Sequence, residues 1–164
     1  MDRKYVLLLR HAKSSWEEAD LRDYERPLNK RGRDAAVKMG VLAKEKELVP
    51  ELILASPAVR SRSTVKLFVK ACGYQGCIRY PDTLYLAEPA DIIAVLKSVS
   101  EAVSRVMVVG HNPGLEDLLA KWVSFDEKFP TAALAVVKLP LKTWTECGEN
   151  ISGELCFFYR PREI

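Results

Sequence analysis

The stretch YVLLLRHAKSSW, residues 5–16, begins as a strand and ends as a polar loop. Its first five residues are mostly apolar, a short continuous run of the kind that a sheet buried on both faces produces. Arg10 and His11 follow the run directly, and small polar residues come after them. The stretch therefore predicts a central parallel strand with Arg10 and His11 at its carboxyl end.

The second histidine has the same placement as the first. The chain contains two histidines, and RVMVVGHNPGLEDLL, residues 105–119, places His111 after an apolar run and before a helix-like segment. A further apolar run at 52–55 leads into Ser56. In open α/β sheets ligands bind beyond the carboxyl ends of the strands, so we expect the residues after these three runs to converge.

Strand-like and helix-like segments alternate along the chain. Apolar residues at helical spacing predict a helix over 30–47 with Asn29 as its cap, and Asn112 and Pro113 are typical of the N-cap and first position of another helix. The order is βαβαβαβα followed by two strands. This order predicts a three-layer α/β/α sandwich with a mostly parallel central sheet. The central strands are predicted at 6–9, 52–55 and 106–109.

Length and composition indicate one domain over residues 1–164. The chain has 164 residues, of which 48% are hydrophobic, enough for a core. Its formal net charge is +3 without a long run of like charge, which argues against nucleic acid and favours a small anionic ligand. The apolar run near the N-terminus is too short for a signal peptide or a membrane span, so we expect a cytoplasmic protein without a membrane partner. The four cysteines lack metal-finger spacing and are expected to be reduced.

The residues that follow the strands have the chemistry of a phosphoryl site. Guanidinium groups such as those of Arg10 and Arg60 bind phosphate oxygens bidentately, and helix N-termini add N–H donors. A neutral imidazole nitrogen can attack phosphorus without a metal, so we expect neither a metal nor another cofactor. Ser14 and Ser56 are candidate hydrogen-bond donors to phosphate. Asn112 is a candidate substrate-binding residue at the same edge.

Three motifs carry a resemblance to a known family. They are LLLRHAKSSW, SPAVRSRST and VVGHNPGLEDL, and DYERPLNKRGRDAA is similar to the family's segment before the first helix. Together they resemble the histidine phosphatase superfamily, which includes the phosphoglycerate mutases, and most closely its short SixA-type branch of phosphohistidine phosphatases. The resemblance implies a phosphoglycerate mutase-like fold. It also implies that His11 is the phosphorylated nucleophile, that Arg10 and Arg60 hold the phosphoryl oxygens, and that His111 is the second histidine of the phosphate pocket.

Two features distinguish this chain from the larger members of that family. Ala12 follows the Arg-His pair, where the best-known branch has glycine. A short LYLAEPADI segment stands where larger members carry a carboxylate general acid, and Glu88 is the candidate acid within it. A departing imidazole needs less help from an acid than a departing alkoxide. The chain therefore favours a phosphorylated substrate with a P–N bond, such as a phosphohistidine-containing signalling protein.

Two alternatives use the same residues. A small-molecule phosphomonoesterase, acting on sugar or nucleotide phosphates, would require Glu88 as its acid. An inactive phosphoprotein-binding module would bind phosphate and never form phospho-His11. A zinc hydrolase is disfavoured, because no ligand spacing accompanies His11 or His111.

The loop after the first strand carries further candidates. Trp16 is expected either to line the mouth of the substrate site or to pack in the core. Asp23, Arg26 and Arg31 are expected to form an ion-pair network that holds this loop in place.

The two histidines are expected to differ in protonation. His11 has to be neutral to attack, whereas His111 would contribute most as an imidazolium that faces phosphate oxygens. This difference predicts a bell-shaped dependence of activity on pH.

Overall fold

The computed structural model describes residues 3–164. In this part of the chain six strands form one sheet, and four α-helices pack against it. The strands are β1 (Lys4–Arg10), β2 (Leu52–Ala55), β3 (Cys77–Arg79), β4 (Arg105–Gly110), β5 (Leu134–Leu139) and β6 (Glu154–Tyr159). The helices are α1 (Lys30–Glu45), α2 (Val59–Cys72), α3 (Pro89–Lys97) and α4 (Gly114–Val123). The predicted alternation of strands and helices is confirmed.

The sheet is mostly parallel, as predicted. Its strand order is β3-β2-β4-β1-β5-β6, and the first four of these strands pair in parallel. β5 is antiparallel to β1, and β6 is antiparallel to β5. The three predicted central strands, β1, β2 and β4, are therefore neighbours, and their carboxyl ends lie at one edge of the sheet.

Both faces of the sheet are covered, which explains why β1 is apolar at consecutive positions. Leu7 and Leu9 pack into the core layer that includes α1 and α2. Val6 and Leu8 point the other way, into the layer that includes α3 and α4. Successive side chains of a strand alternate between the faces, so a strand buried on both sides has to be apolar throughout. The fold is an α/β/α sandwich.

The predicted N-cap of α1 is confirmed, whereas that of α4 is not. Asn29 caps α1, and its side chain accepts a hydrogen bond from the backbone N–H of Gly32 at 2.8 Å. The prediction that Asn112 is an N-cap and that Pro113 opens the helix was wrong by one residue, because α4 begins at Gly114 and Pro113 occupies the N-cap. The side chain of Asn112 still accepts a hydrogen bond from the backbone N–H of Glu116, in the first turn of α4, at 3.3 Å, and it donates to the backbone of a neighbouring loop.

The described residues contain no helix that is both long and apolar enough to cross a membrane.

Close backbone packing joins the first turn of α1 to the loop after β1. A methyl group added at Gly32 would overlap the carbonyl oxygen of Lys13. The same carbonyl accepts a hydrogen bond from the backbone N–H of Asn29 at 3.0 Å. The absence of a side chain at Gly32 thus allows the helix to support the segment that follows His11.

We expect Gly32→Ala to destabilise the protein by about 1–3 kcal/mol. The substitution improves helix propensity by roughly 1 kcal/mol, but the overlap with Lys13 outweighs this gain. The free energy of unfolding from urea titration measures the effect. Gly148→Ala is the control, because an added methyl group there meets nothing within 4 Å. An unchanged free energy in Gly32→Ala would contradict the proposed close packing.

Candidate active site

The carboxyl ends of β1, β2 and β4 bring both histidines together. Backbone hydrogen bonds continue past the strands, since the N–H of His11 donates to Gly110 at 3.1 Å and that of Ser56 donates to Val109 at 2.9 Å. These bonds fix the residues that follow the strands. The imidazole rings of His11 and His111 consequently lie with their centroids 5.1 Å apart.

Arg60 lies between the two imidazoles. It belongs to the first turn of α2, and the residue is 2% exposed. Its Nε donates to Nε2 of His11 at 3.3 Å, and its Nη2 donates to Nδ1 of His111 at 3.3 Å. One guanidinium therefore contacts both candidate phosphate-binding imidazoles.

Asp23 supplies the counter-charge of Arg60. Arg60 donates to the Asp23 carbonyl at 2.7 Å and to its carboxylate Oδ2 at 3.0 Å. Tyr85 donates its hydroxyl to the same Oδ2 at 2.6 Å, and Arg26 Nε donates to Oδ1 at 3.3 Å. Partial burial raises the pKa of Asp23, but the hydrogen bonds from Tyr85 and Arg60 and the charges of Arg60 and Arg26 outweigh it and lower that pKa to about 2. The carboxylate is therefore ionised at neutral pH.

His11 presents the lone pair of Nε2 to the site. Its Nδ1 lies 2.8 Å from the carbonyl oxygen of Ala12. A carbonyl oxygen only accepts, so the proton is on Nδ1 and the lone pair is on Nε2. Burial lowers the pKa of His11 to about 3, with further lowering by His111, Arg60 and Arg10 against an opposing hydrogen bond to Ala12. At neutral pH the ring is an uncharged potential nucleophile.

The ring of His111 is also neutral in this structure. Arg60 donates to its Nδ1, so the ring proton is on Nε2 and is donated to Ser56 Oγ at 2.7 Å. Burial, and then the charge of Arg60, lower the pKa of His111 to about 4, although Asp23 raises it. The expected imidazolium concerns His111 facing a phosphoryl group, so that protonation state and the bell-shaped pH profile stay predictions.

Arg10 and Asn112 share one backbone acceptor. Arg10 Nη1 donates to the carbonyl oxygen of Phe129 at 3.1 Å, and Asn112 Nδ2 donates to the same oxygen at 3.0 Å. Nε of Arg10 is buried and has no hydrogen-bond partner among the described residues. Arg10 thus has donor capacity left for an anion.

The predicted residues around the phosphate line a cavity of about 250 Å³. Ser14 lies on its wall and accepts a hydrogen bond from Arg26 at 2.8 Å. Trp16 lines the mouth and is 75% exposed, so it is not a core residue. The Arg26 guanidinium lies 3.4 Å from the centroid of the Trp16 ring. The cavity also includes Arg10, His11, Arg60, His111 and Asn112.

Three predicted residues lie elsewhere or act indirectly. Ser56 is fully buried behind His111, which it orients by the hydrogen bond to Nε2. Glu88 is exposed at the N-cap of α3 and does not line the cavity. Its backbone N–H donates to Asp91. Arg31 is exposed on α1 and forms no ion pair with a residue in 3–164, so the expected loop network consists of Asp23 and Arg26 without it.

Sequence reasoning missed three contributions to the site. It did not pair Asp23 with Arg60, it did not pair Tyr85 with Asp23, and it assigned no role to Thr64. Thr64 Oγ1 donates to the Arg60 carbonyl at 2.7 Å and accepts from the N–H of Ala12 at 2.9 Å, which ties α2 to the loop after β1. The position of Thr64 four residues after Arg60 was the available signal, since a helical threonine can bond to the carbonyl four residues earlier.

This arrangement can bind and transfer a phosphoryl group. Buried guanidinium groups supply positive charge where phosphate oxygens would lie, and a neutral imidazole supplies a nucleophile. Residues 3–164 hold no group of three or more histidine, cysteine, aspartate or glutamate side chains placed to bind a metal ion.

Comparisons with known proteins agree with this site and fold. The sequence profile of the histidine phosphatase superfamily (branch 1) matches residues 6–82. The chain is 32% identical to a candidate phosphohistidine phosphatase SixA from Agrobacterium tumefaciens, whose crystal structure superposes with a TM-score of 0.83 over 96% of this chain and 98% of that one. The chain therefore belongs to the histidine phosphatase superfamily, in its SixA-type branch. Membership in this family supports a phosphatase activity.

Two further proteins extend the comparison. The uncharacterized protein Rv1276c of Mycobacterium tuberculosis is 32% identical over 168 residues, which cover 94% of this chain and all of that protein. A structure of the protein histidine phosphatase SixA complexed with tungstate has a TM-score of 0.81 and covers 97% of this chain and 98% of that one. Its identity is 23%, so this second likeness concerns the fold alone.

We expect the free energy of unfolding to fall as the pH drops from 6.5 towards 4. The pKa values of His11 and His111 are lower in the folded chain than the reference value of 6.5, so the unfolded chain binds more protons in this range. Their stabilising contribution is complete above pH 6.5 and is lost as the pH falls, at up to about 1.4 kcal/mol per pH unit for each histidine. Urea titrations between pH 7.5 and 4.5 measure this slope.

His111→Gln separates the two contributions. The substitution removes one titrating ring, so the slope of the free energy of unfolding against pH should fall to about half. A slope equal to that of the wild type would show that His111 titrates normally in the folded protein.

Proposed function

We propose that this chain is a phosphohistidine protein phosphatase of the SixA type that works through a phosphorylated His11 and needs no metal. The observation that carries the proposal is the state of His11: a buried neutral ring with Nδ1 bonded to Ala12 and the Nε2 lone pair facing Arg60. The name of the similar Agrobacterium protein supports phosphohistidine as the substrate class.

The first step transfers the phosphoryl group to the enzyme. Nε2 of His11 forms a bond to phosphorus, and the bond from phosphorus to the imidazole of the substrate breaks on the opposite side. Arg60 and Arg10 donate hydrogen bonds to the equatorial oxygens, whose charge they stabilise. The phosphoryl oxygens replace His11 as acceptors of the Arg60 Nε–H, which frees the Nε2 lone pair. The departing imidazole takes up a proton from solvent water.

The second step regenerates the enzyme. Water attacks the phosphorus of phospho-His11, a P–O bond forms, and the bond to Nε2 breaks. The products are inorganic phosphate and neutral His11, and the attacking water loses a proton. Positioning and charge stabilisation account for most of the catalysis in both steps.

His111 acquires its proton with the substrate in this scheme. Its neutral form presents a lone pair at Nδ1, and a phosphate oxygen at that place repels a lone pair. A bound dianion raises the pKa of a nearby imidazole, since it favours the charged form. Protonated His111 would then donate a hydrogen bond to the phosphoryl group.

The placement of Glu88 favours a P–N substrate over a phosphomonoester. An alkoxide leaving group needs a proton from an acid, and Glu88, the acid that the sequence suggests, lies outside the cavity. A departing imidazole is a better leaving group.

We expect His11→Ala to abolish both turnover and phosphorylation of the enzyme while the fold is retained, because the substitution removes the attacking atom. Brief incubation with a ³²P-labelled phosphohistidine peptide, followed by an alkaline quench, would reveal an alkali-stable phosphoenzyme in the wild type.

The two histidines make the assignment of this label clear. A phosphohistidine label has to reside on His11 or His111, because the chain has no other histidine. We expect His111→Gln to retain a label and to turn over slowly. A label that persists in His11→Ala and disappears in His111→Gln would reverse the two roles.

We expect phosphohistidine peptide to be hydrolysed in the presence of EDTA, at a kcat/KM well above that for sugar phosphates. Glu88→Gln should change this value by less than about twofold, since Glu88 does not reach the cavity. A panel of phosphohistidine peptide, sugar phosphates and 4-nitrophenyl phosphate measures both. Preferred hydrolysis of sugar phosphates that Glu88→Gln abolishes would identify a small-molecule phosphomonoesterase, and loss of all activity in EDTA would contradict the metal-free mechanism.

A further inference from the structure

A second and larger cavity adjoins the catalytic one. It has a volume of about 790 Å³, against about 250 Å³ for the catalytic cavity, and the two share Arg10, Lys13 and Thr131 on their walls. Seven of its lining side chains are lysine or arginine, and one, Asp34, is a carboxylate. We call this cavity the basic groove.

Much of the positive charge of the basic groove has no partner. Lys13, Arg31, Lys128 and Arg162 are exposed, and no ion pair joins any of them to a carboxylate of residues 3–164. Asp34 is itself paired with a lysine of the same helix. The groove therefore presents a positive potential beside the catalytic cavity, where it attracts anionic groups.

The walls of the basic groove are held by the fold. On one side the backbone of Lys13 packs against the first turn of α1 at Gly32. On the other side Lys38, from the same helix, donates to the carbonyl oxygen of Pro161 at 3.1 Å. The helix α1 thus connects the catalytic loop to the C-terminal segment, and the charges are kept around one concave surface.

We propose that the basic groove docks an acidic surface of the protein substrate, next to the phosphohistidine that enters the catalytic cavity. This proposal rests on the proposed function, because it assumes that the phosphoryl group is carried by a protein. Carboxylates on the substrate would pair with the exposed lysines and arginines while Arg10, on the common wall, contacts the phosphoryl group.

The form of the groove favours a protein surface over the second phosphate of a small molecule. Its volume is about three times that of the catalytic cavity. Four of its cations are exposed side chains from separate segments, at Lys13, Arg31, Lys128 and Arg162. Such charges suit several carboxylates spread over a surface, and they accelerate and orient the encounter with an oppositely charged partner.

The test uses two charge-reversal variants with the same change in net charge. The groove variant combines Arg31→Glu, Lys128→Glu and Arg162→Glu, none of which lines the catalytic cavity. The control variant combines Lys66→Glu, Lys70→Glu and Arg79→Glu, which are exposed and lie outside both cavities. Unfolding curves of both establish that they fold.

The binding assay uses two fluorescent peptides of equal length, each with a non-hydrolysable triazole analogue of phosphohistidine. Aspartates and glutamates flank the analogue in one peptide and lysines flank it in the other. We expect the wild type to bind the acidic peptide at least about tenfold more tightly than the basic one, with a preference that falls between 50 and 300 mM salt. The groove variant should lose the preference, the control variant should keep it, and both should hydrolyse 4-nitrophenyl phosphate within about twofold of the wild-type rate.

Each other outcome leads to a definite conclusion. Equal affinity of the wild type for the two peptides, or an undiminished preference in the groove variant, would overturn the docking proposal, even if phosphohistidine is hydrolysed. Pyrophosphate is also tested as an inhibitor of 4-nitrophenyl phosphate hydrolysis. If it inhibits the groove variant less than the wild type while acidic-peptide binding is unchanged, the groove is a small-anion subsite and the proposal is wrong. If the preference depends on the groove but the wild type hydrolyses no phosphohistidine peptide, the docking surface stands and the proposed function fails. If the groove variant does not fold, the single Arg162→Glu variant replaces it. The proposal then requires that this variant reduces the preference for the acidic peptide and that the preference of the wild type falls with salt; failure of either result would overturn it.

Discussion

The buried guanidinium of Arg60 is the group on which the site depends. A charge removed from water costs several kcal/mol unless it is paired and hydrogen-bonded, and Arg60 is 2% exposed. Its partners are the imidazoles of His11 and His111 and both the carbonyl and the carboxylate of Asp23. His11, His111 and the loop that contains Asp23 are therefore held by one side chain. Thr64 bonds to the Arg60 carbonyl and to the Ala12 N–H, so α2 is also joined to the loop after β1.

Burial around Arg60 also sets the protonation of the site. It lowers the pKa of His11 to about 3 and that of His111 to about 4, and the nearby arginines lower both further. Both imidazoles are consequently neutral at physiological pH. The positive guanidinium groups of Arg10, Arg26 and Arg60 outnumber the carboxylates that act on them, which are Asp23 beside Arg26 and Arg60 and Glu116 near Arg10. This excess of positive charge suits a phosphoryl group, because the negative charge of that group would balance it.

The choice of substrate depends on the rim of the site, because the phosphoryl group itself is common to many substrates. Trp16 is exposed at the mouth and is held by the stacked guanidinium of Arg26, which is anchored in turn by Asp23 and Ser14. The basic groove adjoins the site and shares Arg10 with it. The aromatic ring and the positive surface would contact whatever carries the phosphoryl group, so the distinction between a protein and a small metabolite would be made there.

The sequence by itself determined the sheet and its three central strands, because a strand buried on both faces has to be apolar at consecutive positions. It also determined the placement of both histidines, because His11 and His111 directly follow such apolar runs. It did not determine the charge of His111, the pairing of Asp23 with Arg60, the exposure of Arg31 or the distance of Glu88 from the cavity. These features depend on how loops without a periodic pattern cross the edge of the sheet, and on how much water the packed helices exclude. The basic groove is likewise determined only by the tertiary structure, because its charges come from segments that are far apart in the chain. The packing of α1 against the loop after β1 and against the C-terminal segment places these charges around one surface.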